Sequence, residues 1–263
     1  MKQKTKYIWL LILLSAAMVV MNYNFVDNYL NETLVEEEKE IVFVDRVIDG
    51  DTIVVGNESI RLLGINTPER GEFFYDEAKG FLTELVVNQS VVLEKGREDR
   101  DKYQRLLRYV FLNDKNVNSE LVEQGYANYY FPTGFDQYSY KLINAWKNCV
   151  NEKVNLCSRS ENVCANCVKL SKFDYKNEEV VLKNECNFGC ELTDWQLKEE
   201  GRKKFIFPEF VLEKNSEVLI ETGESVDTKN KLFWEDGENV WTKTGDTLFL
   251  RDDEGKLVLW KRY

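Results

Sequence analysis

Seven strand-like runs of three or four mostly apolar residues recur through the last hundred positions of this chain, at 180–182, 195–197, 205–207, 218–220, 232–234, 247–250 and 257–260. No helical period interrupts them, and turn signals such as Thr222-Gly223, Asp236-Gly237 and Glu254-Gly255 separate them. Runs this short between such turns are strands, and about seven in under a hundred residues are expected to pack as a β-sandwich. Trp195, Trp234, Trp241 and Trp260 then read as core and cross-strand packing.

The first half has a different rhythm. Residues 41–65 pass from strand to strand through turns at Asp49-Gly50 and Gly56-Asn57, an antiparallel meander. Ala78, Phe81, Leu82, Leu85 and Val86 then fall on one face of a helix. Residues 91–93 and 106–112 make two more strands, and the 113–116 turn leads to a second helix with Val117, Leu121 and Val122, ended at Gly125. A third helix is expected to carry Tyr140, Ile143 and Trp146. Three strands, a helix, two strands and two helices suit a five-stranded OB-fold barrel with three helices. The chain is thus expected to be mainly β: a barrel at 41–148, a cysteine-bearing linker at 149–166 and a sandwich at 167–263.

Lys2, Lys4 and Lys6 precede an apolar run at 7–21, extendable to residue 26, and an acidic, solvated tether follows at 27–40. With no A-x-A cleavage site after Ala17, residues 1–26 read as an uncleaved signal anchor in preference to a removed signal peptide. The positive-inside rule then places a single-pass protein in the cell membrane with both domains outside, or secreted if the segment is cleaved.

Composition narrows the chemistry. None of the 263 residues is histidine. That excludes Ser-His-Asp hydrolases, Cys-His proteases and His-ligated zinc enzymes, leaving carboxylates, arginines and a hard cation to carry any hydrolysis. The net charge of −11 makes the chain a poor non-specific ligand for nucleic acid, so a polyanionic substrate requires a locally basic or metallated site. Residues 95–108 offer one, with six basic against three acidic residues.

Asp49-Gly50-Asp51-Thr52 sets two carboxylates beside a tight turn, where a hard cation finds oxygen ligands. Arg61 follows on the next strand, then Asn66-Thr67-Pro68-Glu69, and Asp101-Lys102-Tyr103-Gln104-Arg105 comes at a later strand start. A carboxylate cluster, two guanidinium forks and one unpaired glutamate are the parts of metal-assisted phosphodiester cleavage. In this order and spacing, with Val117-Asn118 and Gln124-Gly125-Tyr126-Ala127 behind them, they resemble the staphylococcal-nuclease (thermonuclease) family over residues 41–148. The resemblance implies an OB-fold barrel that binds one Ca²⁺ and cleaves DNA or RNA to 5′-hydroxyl and 3′-phosphate products. It assigns Asp51, Asn66 and Thr67 to the metal, Arg61 and Arg105 to the phosphate, Glu69 as general base, and Lys102 and Tyr103 to substrate. Asn66 stands where the type member has a second metal carboxylate, and the 70–77 stretch is shorter than that member's lysine-rich loop. The competing class is a non-catalytic OB-fold scaffold that binds nucleic acid or serves adhesion.

Residues 179–200, Phe207-Pro208, Trp241 and the 245–255 run resemble the lamin-tail family, which implies an immunoglobulin-like sandwich used for binding and tethering. With five more acidic than basic residues over 168–263, the sandwich offers no obvious basic stripe, and it is expected to be dispensable for chemistry. The six cysteines at 149, 157, 164, 167, 186 and 190 allow fifteen pairings. Disulfides, a Cys₄ zinc site at Cys149, Cys157, Cys164 and Cys167, and a C-x-x-C redox pair compete, and an outside location with an even count favours disulfides.

Overall fold

The computed structural model describes residues 39–235 and 239–263, together with Lys6 and Trp9. In the first half, strands β1 (Lys39–Phe43), β2 (Arg46–Asp49), β3 (Thr52–Val55), β4 (Glu58–Leu62) and β5 (Ile65–Asn66) precede helix α1 (Tyr75–Val86). There follow β6 (Ser90–Arg100), β7 (Leu106–Leu112), β8 (Lys115–Asn116), α2 (Val117–Glu123), β9 (Asn128–Tyr129) and α3 (Ser139–Glu152). The main sheet runs β1-β6-β7-β4-β3-β2, with β8 added on β7, and curls into a half-barrel. It has seven strands where five were expected, because Lys39–Phe43 adds an edge on β6 and the 113–114 turn folds β8 back on β7. Asn113 and Asp114 both take positive φ, the geometry of a two-residue hairpin.

The helices lie where the apolar period put them. Ala78, Leu82 and Val86 bury one face of α1, and Asn116 caps α2 by accepting from the Ser119 amide at 2.8 Å. Helix α3 differs in its face. Leu142, Ala145, Trp146 and Cys149 point inward at i, i+3, i+4 and i+7, which turns Tyr140 outward to 71% exposure.

The second half has two four-stranded sheets. One is β10 (Val168–Asp174), β11 (Glu179–Asn184), β16 (Glu217–Thr222) and β17 (Lys231–Trp234). The other orders β14 (Lys204–Ile206), β13 (Gln196–Lys198), β18 (Thr247–Arg251) and β19 (Leu257–Arg262). A small pair, β12 (Cys190–Glu191) with β15 (Val211–Leu212), completes it. Leu182, Trp195, Leu197, Phe207, Val218 and Leu250 fill the space between the sheets. The cysteines form three disulfides: Cys149–Cys157, which ties the last turn of α3 to the segment after it, and Cys164–Cys190 and Cys167–Cys186 at the sandwich entry. None crosses between the halves, and the proposed zinc set is split by its own pairing.

Strand β18 joins the halves. Side chains alternate along a strand, so Leu248 and Leu250 enter the sandwich core while Phe249 points the other way, into the core of the barrel. There its ring lies 5.2 Å from Trp146, and Trp260 of β19 approaches Trp146 at 6.3 Å. Trp260 thus packs against the barrel and not within the sandwich. The Tyr129 hydroxyl meets the Thr247 hydroxyl at 2.8 Å beneath them. Residues 39–263 form one compact unit, and the 150–166 stretch, expected as a polar linker, is fastened by bonds between Ser158, Ser160 and Leu257.

The expectation of a single-pass membrane protein is corrected. Among the described residues no helix is long and apolar enough to cross a bilayer, and the run at 7–26 on which that expectation rested lies, apart from Trp9, outside them.

Candidate active site

Register assembles the site from distant positions. Thr52 of β3 pairs with Arg61 of β4, which brings Asp51, in the turn before β3, beside that arginine. Strand β4 in turn runs parallel to β7, with Ile60 opposite Leu106, so Arg105 arrives at the same edge one residue earlier. Gly50 allows the turn to close: a Cβ there would stand 2.9 Å from the Thr67 side chain.

Asp51 is buried, and its Oδ2 receives the Arg61 guanidinium at 2.8 Å and the Thr67 amide and hydroxyl at 3.1 Å each. Its Oδ1 accepts from the Thr52 hydroxyl at 3.2 Å, and that hydroxyl also accepts from Arg105 Nη1 at 3.2 Å. Arg61 donates further to the carbonyls of Leu62 and Ile65 and reaches the Asn66 side-chain oxygen at 3.4 Å. Arg105 is braced by Asp101 through Nε at 2.8 Å and Nη2 at 2.7 Å. Burial opposes ionisation of Asp101, but the bonds from Arg105 outweigh it and hold its carboxyl below the ordinary range. Burial, and then the Asp51 charge, push the Asp49 carboxyl upward.

Asp51, Arg61, Asn66, Thr67 and Arg105 are therefore drawn together. Tyr103, 59% exposed, lies beside them with the Lys102 ammonium 5.0 Å and the Arg105 guanidinium 5.6 Å from its ring. Glu69 stands apart from this group: its partner is Arg202 of the sandwich, whose Nε lies 2.7 Å from its carboxylate.

Arg202 introduces residues that sequence reasoning missed. The 199–203 loop of the sandwich lies across a groove of about 650 Å³ whose barrel wall carries Arg61, Lys102, Tyr103 and Arg105. Asn66 Nδ2 donates to the Gly201 carbonyl at 2.9 Å, and Asn128 Nδ2 to the Glu200 carbonyl at 2.8 Å. Glu72 is gripped by Lys204 at 2.7 Å and Lys198 at 3.4 Å, so the short stretch after Glu69 is pinned against the sandwich. The run Gly201-Arg202-Lys203-Lys204 was the available signal; averaging charge over the whole sandwich concealed it.

The loop also carries a buried acid. Glu200 accepts from Arg262 at 2.6 Å, the Thr247 hydroxyl at 2.8 Å and the Phe131 amide at 3.1 Å. Burial, then repulsion from Asp246, raises its carboxyl from 4.5 to about 7. The folded state then holds a proton that the unfolded state releases between pH 4.5 and 7, so this group's contribution to stability is complete at low pH and is lost as pH rises through about 7. Glu200→Gln should remove on the order of 2–3 kcal/mol of that decline. Urea denaturation of both proteins at pH 5 and pH 8 checks it, and parallel pH profiles would refute it.

The donors at the turn suit a hard cation. Asp51 Oδ1 accepts one protein hydrogen bond, Asp49 is crowded against it, and Asn66 and the Thr67 carbonyl add neutral oxygens. Among the described residues, the one group of three acids or thiols close enough to share an ion is Cys164, Cys186 and Cys190, all disulfide-bonded. A cation at Asp51 would thus depend on few protein carboxylates.

Comparison with known proteins accords with this arrangement. Residues 59–159 match the family described as Staphylococcal nuclease homologue, and residues 164–263 the Lamin Tail Domain. A thermonuclease of Staphylococcus intermedius is 32% identical over 160 residues, covering 56% of this chain and 95% of that protein. An uncharacterized endonuclease of Haemophilus influenzae is 38% identical over 111 residues, 40% of this chain and 58% of its own length. The SPbeta prophage-derived endonuclease YokF of Bacillus subtilis is 40% identical over 102 residues, 34% of each chain.

Proposed function

Because this chain belongs to the staphylococcal nuclease family and carries a lamin-tail domain behind the barrel, we propose that it is a calcium-dependent endonuclease that cleaves DNA or RNA to 5′-hydroxyl and 3′-phosphate ends. The kinship with thermonucleases and endonucleases supports a nuclease; the cation and the products are our reading. One observation carries it: Arg61 sits on the buried Asp51 carboxylate, and a single hydroxyl, that of Thr52, links the same carboxylate to Arg105.

In this reading Asp51, Asn66 and the Thr67 carbonyl would hold the cation, which when bound would supply charge neutralisation at the phosphate and a lowered pKa for water. Arg61 and Arg105 bind phosphate oxygens and stabilise the charge that builds as phosphorus becomes pentacoordinate. Their fixed bonds to Asp51 and Asp101 hold both forks in place, so little reorganisation accompanies the reaction. Glu69 takes the proton of the attacking water, the bond to the 5′-oxygen breaks, and that oxygen leaves as a hydroxyl once protonated from solvent. Tyr103, partly exposed with its face toward two cations, offers a stacking surface for a base.

The test is degradation of plasmid and of single-stranded RNA by the full chain with Ca²⁺ present. Cleavage should stop on addition of EGTA and resume with excess Ca²⁺, and fragments should accept label from polynucleotide kinase without prior phosphatase treatment. Undiminished cleavage in EGTA would refute the calcium dependence, and 5′-phosphate ends would refute the product assignment. No cleavage under any condition would return the protein to the non-catalytic scaffold class.

A further inference from the structure

We propose that the sandwich contributes a substrate-binding residue to the nuclease groove: Arg202 binds a phosphate of the nucleic-acid strand, and in the free protein its guanidinium rests on Glu69. The proposal builds on the nuclease reading and assigns to the lamin-tail domain a direct part in substrate recognition.

Three observations support it. The first is placement. Arg202 lines the same groove as Arg61, Arg105 and Lys102 but comes from the sandwich, so a strand lying there meets guanidinium groups from both halves of the protein. In a chain of net charge −11 this convergence gives a polyanion the local basic channel it requires.

The second is the fixing of the loop backbone while the side chain is left accessible. Asn66 and Asn128, from the two strands beside the site, hold the carbonyls of Gly201 and Glu200. From inside, the Glu199 carboxylate accepts from the amides of Gly201 at 2.5 Å and Lys203 at 2.7 Å. The packing is tight enough that a Cβ at Gly201 would lie 2.9 Å from that carboxylate and 3.1 Å from the Tyr130 ring. Between these anchored neighbours the Arg202 side chain is 57% exposed. Such an arrangement fixes where the guanidinium starts from without immobilising it.

The third is the nature of its present contact. Among the described residues Glu69 is the one ionic partner of Arg202, and the pair is half-exposed on both sides, at 57% and 46%. An exposed pair of this kind is worth only about 0–1 kcal/mol, too little to account for the close fixing of the loop around it. A backbone phosphodiester offers the same fork a competing anion with two oxygens in bidentate geometry, and its neighbours along the strand add further negative charge. On binding, Arg202 exchanges carboxylate for phosphate and Glu69 is left without its ionic partner, facing water. With no strand present, the pairing screens the Glu69 charge from the approaching polyanion.

The experiment is equilibrium binding of a labelled single-stranded oligodeoxynucleotide of about 20 residues to the full chain in EGTA, followed by fluorescence anisotropy between about 50 and 200 mM salt. Arg202→Ala should weaken binding about tenfold at the low-salt end and flatten the log–log salt dependence by about 0.7, the loss of one phosphate contact. Arg202→Lys should retain most of the slope, since charge is kept and the fork is lost. Lys147→Ala, an exposed position on α3 outside the groove, should leave both unchanged. Wild-type affinity and slope in folded Arg202→Ala would overturn the proposal. Cleavage of the same oligonucleotide with Ca²⁺ separates the two readings. A wild type that binds through Arg202 but never cuts would refute the nuclease and spare Arg202, whereas one that cuts while Arg202→Ala binds normally would do the reverse. A wild type that binds no oligonucleotide at the low-salt end would refute the role of Arg202, and the cleavage assay would then decide the nuclease reading by itself.

Discussion

Arg105→Ala and Glu69→Gln should each lower the turnover rate by about two to four orders of magnitude while leaving the protein folded. The Arg105 side chain is held by a partly exposed ion pair with Asp101, a bond to the Thr52 hydroxyl and its approach to the exposed Tyr103 ring, contacts worth about 1 kcal/mol each. Glu69 loses only its pairing with Arg202. Both substitutions are therefore expected to act on the transition state and not on the fold, and rates under saturating nucleic acid, with a melting curve of each variant, check this. Turnover within tenfold of wild type for either variant would show that the residue lies outside the chemistry. Arg61 is a poorer subject for the same test. It is buried, bonded to two backbone carbonyls and neutralises a buried carboxylate, so Arg61→Ala leaves Asp51 without its counter-ion at a cost of about 3–5 kcal/mol. Loss of activity there would not separate catalysis from unfolding.

The second large effect concerns the boundary between the halves. A fragment of residues 39–158 keeps every barrel strand and the Cys149–Cys157 disulfide, yet it strips Phe249, Leu257 and Trp260 from the barrel core and the Thr247 hydroxyl from Tyr129. Each lost aromatic contact of this size costs about 3–5 kcal/mol in a packed core, and a domain has only about 5–15 kcal/mol of net stability. The fragment should therefore be largely unfolded at 25 °C and cleave far more slowly than the full chain. In the intact protein, Phe249→Ala should lower stability by about 3–5 kcal/mol, and barrel and sandwich probes should melt in one shared transition. A fragment that is folded by circular dichroism and as active as the whole would restore the sandwich to a dispensable appendage. Two separate melting transitions would argue the same way.

The nuclease half was legible because its signals are local. The Asp49-Gly50 turn, the 3.6-residue period of α1 and the capping Asn116 act within a few positions, and the absence of histidine left one chemistry open. Gathering Asp51, Arg61 and Arg105 required only that three short strands pair in the register their turns dictate. The sandwich strands, too, followed from runs too short for helices. What the sequence could not contain was the direction in which β18 presents its second face. Leu248, Phe249 and Leu250 read as one apolar run, and a strand buried on both sides looks the same whether its two faces serve one core or two. Once Phe249 enters the barrel, the 199–203 loop is carried to the edge of the groove, and Arg202 meets a glutamate more than a hundred residues earlier. Long-range pairing of this kind depends on how two finished surfaces fit, which no periodicity along either one encodes. Local chemistry thus determined the fold of each half and the barrel residues of the candidate site; the packing of one half on the other decided what faces them.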